Sequence, residues 1–433
     1  NDYYKKEIDL RLSMAYGPGR YDPEYEEKGN DYPFDLVRWT EQRNFEAFLG
    51  LIDEGKITPK EILTHEFDFD DAMDAYDLLE GKVKEKYLGI VLKYKRDINL
   101  ADEKIVKRTT KAVSNDSVNV GLIGAGNFTK SVILPNMKKV GGYDLVGLCT
   151  ATGVSAQGTG KKYDFKYITT DSSEIYKNNE INSVFVTTQH DKHPEAVIKS
   201  IESSKHCFVE KPLCIYEEEL EAIKEAYTGK TIVQVGFNRR FSPMIQSMKK
   251  SVSGQVSVNY RVNAGIIPKD VWIQDRTIGG GRIIGEVCHF IDTCSYLIGS
   301  DVVSVFATTL TKDDKSIPDE DNVNITLNYA NGSTATIAYY AYGDTTMPKE
   351  YIEVFGNGLS MSMTDFRELV VYSGGKTKKE KSANQDKGFV NEFKAFKDAV
   401  KSGESAIDFE SIYNTTKTTF KILKSIRTGN VEK

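Results

Sequence analysis

Lys211, in Glu210-Lys211-Pro212, and His289, in the apolar run Val287-Cys288-His289-Phe290-Ile291, are side chains of this 433-residue chain that could exchange a proton. Histidine titrates near neutrality without help. An amine that has lost part of its water gives up its proton more readily. Removal of a hydride from an alcohol carbon needs such groups, because the hydride leaves only as a base within hydrogen-bond reach takes the hydroxyl proton. Each residue also has a plainer reading: a lysine before proline is commonly a surface turn, and a histidine in an apolar helix is commonly a core residue. His65, His190 and His206 are assigned to structure or surface.

A hydride needs an acceptor, and one stretch can hold it. Val118 to Ile123 is a short apolar strand that runs into Gly124-Ala125-Gly126, and a helix is expected from Phe128 to Lys139. The first glycine permits a tight turn and the second lets a pyrophosphate approach the backbone. The helix N-terminus behind them, with Asn127 and Phe128, offers N–H groups and the positive end of a dipole. Thr129 stands where a third glycine would complete the fingerprint. Asp144 has the spacing of the acid that meets a ribose hydroxyl, but it precedes the apolar run and so sits at the wrong end of its strand. At the other end stand Cys149, Thr150, Ala151 and Thr152, so a threonine would face the ribose, and the choice between NAD and NADP stays open.

The elements around these residues fall into zones. Asp144 to Cys149, Asn182 to Thr187 and Ile232 to Val235 read as strands, separated by helices at Pro194 to Ser203 and Glu217 to Ala226. That alternation implies right-handed βαβ units and a parallel sheet. After Phe241 the apolar period becomes two, in Val256 to Val262 and in Val323 to Tyr329, and Asn331-Gly332 makes a hairpin into Thr334 to Tyr340. Helical spacing returns in Phe389, Phe393 and Phe396 and again through Phe420 and Leu423. Upstream, residues 97–117 are polar and read as a linker with one helix. Residues 1–96 predict a helix ended by Gly55, an extended piece from Pro59 to Phe69, a second helix capped at Asp70 or Asp71, and a closing strand from Tyr87 to Tyr94.

Taken in order, the glycine turn, Thr187-Thr188-Gln189-His190-Asp191-Lys192-His193, Glu210-Lys211-Pro212, Gly236-Phe237-Asn238-Arg239-Arg240 and Gly279 to Asp292 resemble the Gfo/Idh/MocA family of NAD(P)-dependent sugar and polyol oxidoreductases, over about residues 118–433. The resemblance implies an α/β chain: a Rossmann domain over 118–240, then an α/β domain over 241–433 with a large, open, mainly antiparallel sheet. It implies NAD or NADP held by Gly124, Gly126, Asn127, Phe128, Thr150, Thr187, Thr188, His193, Glu210 and Lys211, with Lys211 beside the nicotinamide. It implies that His289 faces the carbon of a sugar-type substrate whose contacts include Asn238, Arg239, Trp272, Glu286 and Asp292. Phe45 to Gly55, Ile62 to Phe67 and Ala72 to Leu92 resemble the C-terminal end of zinc-type medium-chain alcohol dehydrogenases, as in bi-domain oxidoreductases. The Cys/His/Glu zinc cluster of such enzymes is missing, so no metal is expected, and the start without methionine suits a truncated chain.

One departure from the family pattern bears on chemistry. Many members carry an aspartate four residues before the histidine; here that position is Gly285. Glu286 is rotated by about 100° around the helix axis, whereas Asp292 shares the face of His289 and is expected to orient its ring. A substrate carboxylate or phosphate would then supply the missing charge. Two other readings follow from the same residues: a dinucleotide-binding protein with a decayed site, or an assembly role for the open sheet.

Composition narrows the remaining classes. With 57 basic and 63 acidic residues the formal charge is −6, which disfavours nucleic acid and anionic membrane as partners. No run of about 18 uncharged apolar residues reads as a membrane span. Five widely spaced cysteines give no disulfide framework and suit a cytoplasmic protein. The open sheet suggests a homodimer or homotetramer.

Overall fold

Leu63–Asp68 (β1) shows its side chains alternately half-buried and exposed, and it pairs in parallel with Gly89–Lys93 (β2). Between them Ala72–Leu79 forms a helix, preceded by the helix Glu41–Asp53. The computed structural model describes residues 5–7, 15–94, 105–109, 114, 116–310 and 319–433. It divides into two units, Asn1–Leu100 and Ala101–Lys433. Within the described part of the first, Ala75 and Leu78 are the buried apolar side chains, and Leu36, Leu49, Met73 and Leu88 are more than 60% exposed.

In the second unit, continuous apolar runs become fully covered strands. Ile105–Lys107 (β3), Val118–Ile123 (β4), Tyr143–Cys149 (β5), Tyr167–Thr169 (β6), Ser183–Val186 (β7), His206–Val209 (β8) and Val233–Val235 (β9) form one sheet in the order β3-β6-β5-β4-β7-β8-β9. All pairs are parallel except β3 with β6. All residues of β4 and β7 are buried, as expected of strands with helices on both faces. The chain leaves β4 toward one side for β5 and β6, then returns to the other side for β7. A crevice opens at such a reversal, at the C-terminal ends of the strands.

The second sheet holds Ser257–Asn263 (β10), Val302–Thr309 (β11), Asn322–Tyr329 (β12), Thr334–Tyr340 (β13), Glu350–Gly356 (β14), Leu359–Thr364 (β15), Glu368–Ser373 (β16) and Lys376–Lys381 (β17). Their order is β11-β12-β13-β10-β14-β15-β16-β17, antiparallel throughout except β10 with β13. The alternation in β12 puts Val323, Ile325 and Leu327 in the core and Asn324, Thr326 and Asn328 on the exposed face. Met244, Phe290, Leu297 and Ile422, from three helices, cover the apolar face.

Three features go beyond the sequence reading. The stretch read as a linker contributes β3 to the edge of the parallel sheet, and its residues 97–104, 110–113 and 115 lie outside the described residues. The helix after the glycine turn begins with a wider π-turn, Thr129–Ile133, before Leu134–Val140 continues as α-helix. The C-terminal helix Phe389–Ser402 does not serve the second sheet alone, because Phe393 and Phe396 pack on Phe185 and Phe208 of the parallel one. Aromatic spacing shows that a helix has an apolar stripe but not which sheet receives it. No helix among the described residues is long and apolar enough to cross a membrane.

Candidate active site

The glycine turn sits at the end of β4. Gly124 has φ +96°, and a Cβ there would lie 2.7 Å from the Thr187 carbonyl oxygen, so a side chain is excluded both by conformation and by space. A Cβ on Gly126 would meet nothing within 4 Å, which leaves open room before the helix N-terminus. Thr129, the departure from a third glycine, is buried and its hydroxyl donates to Thr187 Oγ1 at 2.9 Å. Thr187 Oγ1 in turn reaches the Gly124 carbonyl at 3.0 Å. A hydroxyl bridge thus ties helix to strand where a glycine would allow bare backbone packing.

Around this turn opens a cleft of about 900 Å³. Gly124, Gly126, Asn127, Phe128, Thr150, Thr187, Thr188, His193, Glu210 and Lys211 line it, together with Trp272. At the end of β5 the lining is Cys149, Thr150, Ala151 and Thr152, without a carboxylate, and Thr150 Oγ1 donates to the Thr152 carbonyl at 2.7 Å. Asp144 accepts the Ser114 N–H at 3.0 Å. Open room at Gly126, a helix N-terminus behind it and hydroxyls at the end of β5 fit a dinucleotide.

The acid and base groups meet on the far side of this cleft. Lys211 Nζ donates to the Gly285 carbonyl at 2.9 Å. That carbonyl belongs to a second π-turn, Ile283–Val287, which leads into the helix Cys288–Ile298. Where the family's aspartate would stand, the lysine is therefore held by backbone. Glu210 is half-buried, and desolvation pushes its carboxyl up to about 7 against the opposing pull of Lys211. His193 is buried between two carbonyls, Pro212 at 2.7 Å from Nδ1 and Thr188 at 3.2 Å from Nε2. Desolvation keeps that ring neutral, so it donates at one nitrogen, and the shorter contact takes the proton.

On the substrate side the expected residues make most of their contacts within the protein. His289 is buried and is not among the residues lining the cleft. Its Nδ1 has no hydrogen-bond partner, and desolvation, then Arg239 and Lys211, hold the ring neutral. Asp292 does not orient it, because both Asp292 oxygens are taken by the guanidinium of Arg240. Arg239 is likewise spent, on a bidentate pair with Glu350 at 2.8 and 2.9 Å, which also accepts from Tyr260 and Lys387. Asn238 donates to the Lys387 carbonyl. Glu286 accepts from Arg282 at 3.0 Å, Lys349 at 2.8 Å and Tyr339 at 2.5 Å, and these cations hold it ionised despite burial. A buried charge must find a partner, and these residues found theirs within the protein. Glu350, Tyr339, Lys349 and Lys387 carried no local sequence signal, since they lie more than 35 residues from the groups they serve.

His190, assigned from sequence to structure or surface, lines the cleft instead. The available signal was its place three residues before His193, which puts both rings on one side of a helical turn. Their centroids are 5.7 Å apart.

Residues 118–237 match the model of the oxidoreductase family with an NAD-binding Rossmann fold, GFO_IDH_MocA, and residues 251–361 match the GFO/IDH/MocA C-terminal domain. An inositol 2-dehydrogenase of Rhizobium meliloti is 29% identical over 51% of this chain and 68% of its own length. A myo-inositol 2-dehydrogenase of Thermotoga maritima is 24% identical over 59% of this chain and 77% of its own. Among solved structures, a levoglucosan dehydrogenase in complex with NADH and levoglucosan superposes with a TM-score of 0.64 at 22% identity, over 73% of this chain and 99% of that one. The sheet order, the glycine turn and both matches agree: from Val118 onward this chain carries the NAD-binding and C-terminal domains of the Gfo/Idh/MocA oxidoreductases.

Proposed function

We propose that the chain is an NAD(H)-dependent dehydrogenase that interconverts a ring hydroxyl and a carbonyl on a cyclic polyol or sugar. The observation that carries this reading is Lys211, whose amine is held by the Gly285 carbonyl in the cleft that the glycine turn opens. The names of the relatives, inositol and levoglucosan dehydrogenases, support the substrate class. Gly124, Gly126, Thr150 and Thr187 would hold the dinucleotide, which when bound supplies the hydride acceptor or donor.

The chain's own part is proton transfer and placement. Lys211 takes the hydroxyl proton as the carbon is oxidised and returns it in the reverse direction. Gly285 fixes its amine, and neutral His193 fixes the backbone beside Lys211 through the Pro212 carbonyl. His289, kept neutral behind the wall, stands within the field of Lys211. Arg239 and Asp292 shape the substrate side without touching substrate.

The test is a fluorescence titration with NADH, followed by NAD reduction with myo-inositol, scyllo-inositol, levoglucosan and glucose. Micromolar NADH binding and turnover of at least one polyol are expected. Absence of NADH binding even at millimolar concentration overturns the reading, and binding without any turnover reduces it to a dinucleotide-binding protein. Two finer readings go with this. The exposed Asn324, Thr326 and Asn328 face supports a homodimer or homotetramer, which solution scattering checks. The parallel pair β1 and β2 with its helices supports reading residues 1–96 as an alcohol-dehydrogenase-like C-terminal module without catalysis of its own.

A further inference from the structure

His190 has one nitrogen committed and one free. Nδ1 lies 2.8 Å from the Gly279 carbonyl, which can only accept, so Nδ1 carries the proton. A neutral ring then has its lone pair on Nε2, and among the described residues no donor meets that atom. The ring is neutral because burial, and next the charge of Lys211, push its titration down to about 3. It therefore presents an acceptor, not an acid, at any ordinary pH.

What holds the ring identifies which side of the cleft it serves. Gly279 and Trp272, whose indole stands edge-on at 4.9 Å, belong to the segment that precedes the His289 helix, and the Asp191 N–H also bonds into it, at the Ile278 carbonyl. None of these comes from the glycine turn or from the end of β5. The ring also covers position 285: a Cβ there would lie 3.3 Å from His190 Cε1 and 3.6 Å from Nδ1. The imidazole thus occupies the neighbourhood that a carboxylate side chain at 285 would need, beside Lys211.

Resting on the dehydrogenase reading above, we propose that Nε2 of His190 accepts a hydrogen bond from a hydroxyl of the polyol other than the one oxidised, and so selects which ring carbon faces Lys211. His190 takes over the acceptor role that Gly285 cannot fill, with a neutral group in place of a charged one. A substrate hydroxyl is the fitting donor, because polyols carry several at fixed angles and a neutral acceptor discriminates among them by geometry.

The experiment uses the polyol that the wild-type protein turns over fastest, its monodeoxy analogues, and two variants. His190→Ala removes both nitrogens. His190→Asn keeps a donor within reach of the Gly279 carbonyl, and so keeps the loop anchored, but its amide falls short of the Nε2 position. Both variants are expected to raise KM about tenfold, the worth of one neutral hydrogen bond, with kcat within about threefold and NADH affinity unchanged. In the wild type one deoxy analogue is expected to be poorer by about the same factor, and in both variants that preference disappears. Recovery of the wild-type KM by His190→Asn overturns the proposal, since the ring would then matter only as a loop anchor. An unchanged KM and deoxy preference in His190→Ala overturns it as well. In both cases wild-type turnover leaves the dehydrogenase reading standing, whereas no wild-type turnover of any polyol removes that reading and the proposal together.

Discussion

The two sides of the cleft are built from different materials. The side over the parallel sheet is mostly backbone: a glycine turn, a helix N-terminus and hydroxyls bonded to carbonyls. The other side stands on buried charges that are already paired, Arg239 with Glu350, Arg240 with Asp292, and Glu286 with Arg282 and Lys349. A dinucleotide brings its own charge and needs shape and N–H groups. A polyol brings none, so charges left loose beside it would only be desolvated without compensation. The substrate side is accordingly a rigid polar frame in which few atoms remain free to bind.

That contrast can be broken at the frame first. Glu350→Ala leaves Arg239 buried without its carboxylate and should cost about 3–5 kcal/mol of stability, read from the urea midpoint; a loss below about 1 kcal/mol would show the frame to be ornamental. Lys211→Ala tests the one amine that reaches from frame to cleft. It should lower turnover by at least about a hundredfold while NADH still binds, and near-wild-type turnover would move the proton-transfer role elsewhere. On the backbone side, Gly124→Ala forces a Cβ against the Thr187 carbonyl. NADH affinity should fall by about tenfold or more, roughly 1.4 kcal/mol, with the urea midpoint moving far less than for Glu350→Ala. Glu210 is tested by a pH slope. Its folded-state titration near 7 lies above the unfolded carboxylate value, so the folded state holds the proton more tightly. The stability this lends is present at acid pH and is lost as pH rises from about 4.5 to 7. Glu210→Gln should flatten that decline in a melting-temperature series, leaving the part that buried Glu392 contributes; an unaltered slope would mean that Glu210 is ionised throughout.

The same contrast explains what the amino-acid sequence made legible. The glycine turn announces itself because its role is set by neighbours within a few residues, whereas Thr187, Thr188, His193 and Lys211 were placed in the site through the family resemblance. β6 and β8, three and four residues long, escaped notice. Arg239 and Asp292 were read as substrate contacts because a charged residue in a family motif looks available. Only the three-dimensional neighbourhood reveals that Glu350 and Arg240, 111 and 52 residues away, have claimed them. His190 erred in the opposite direction. A lone histidine carries no mark of the carbonyl that will fix its tautomer, and Gly279 is 89 residues distant.

Both helices that approach the cleft contain one wide turn, Thr129–Ile133 on the dinucleotide side and Ile283–Val287 on the other. A π-turn is one residue of slack stored in an otherwise regular helix. Taking up that slack by deleting a residue would rewind everything before it by about 100° and draw it in by about 1.5 Å, while the apolar stripe beyond kept its register against the sheet. Chain length at these two places is therefore a dial separate from side-chain identity. Divergence of this architecture toward new substrates can proceed through single-residue insertions and deletions inside helices, sites where such changes would ordinarily be ruinous.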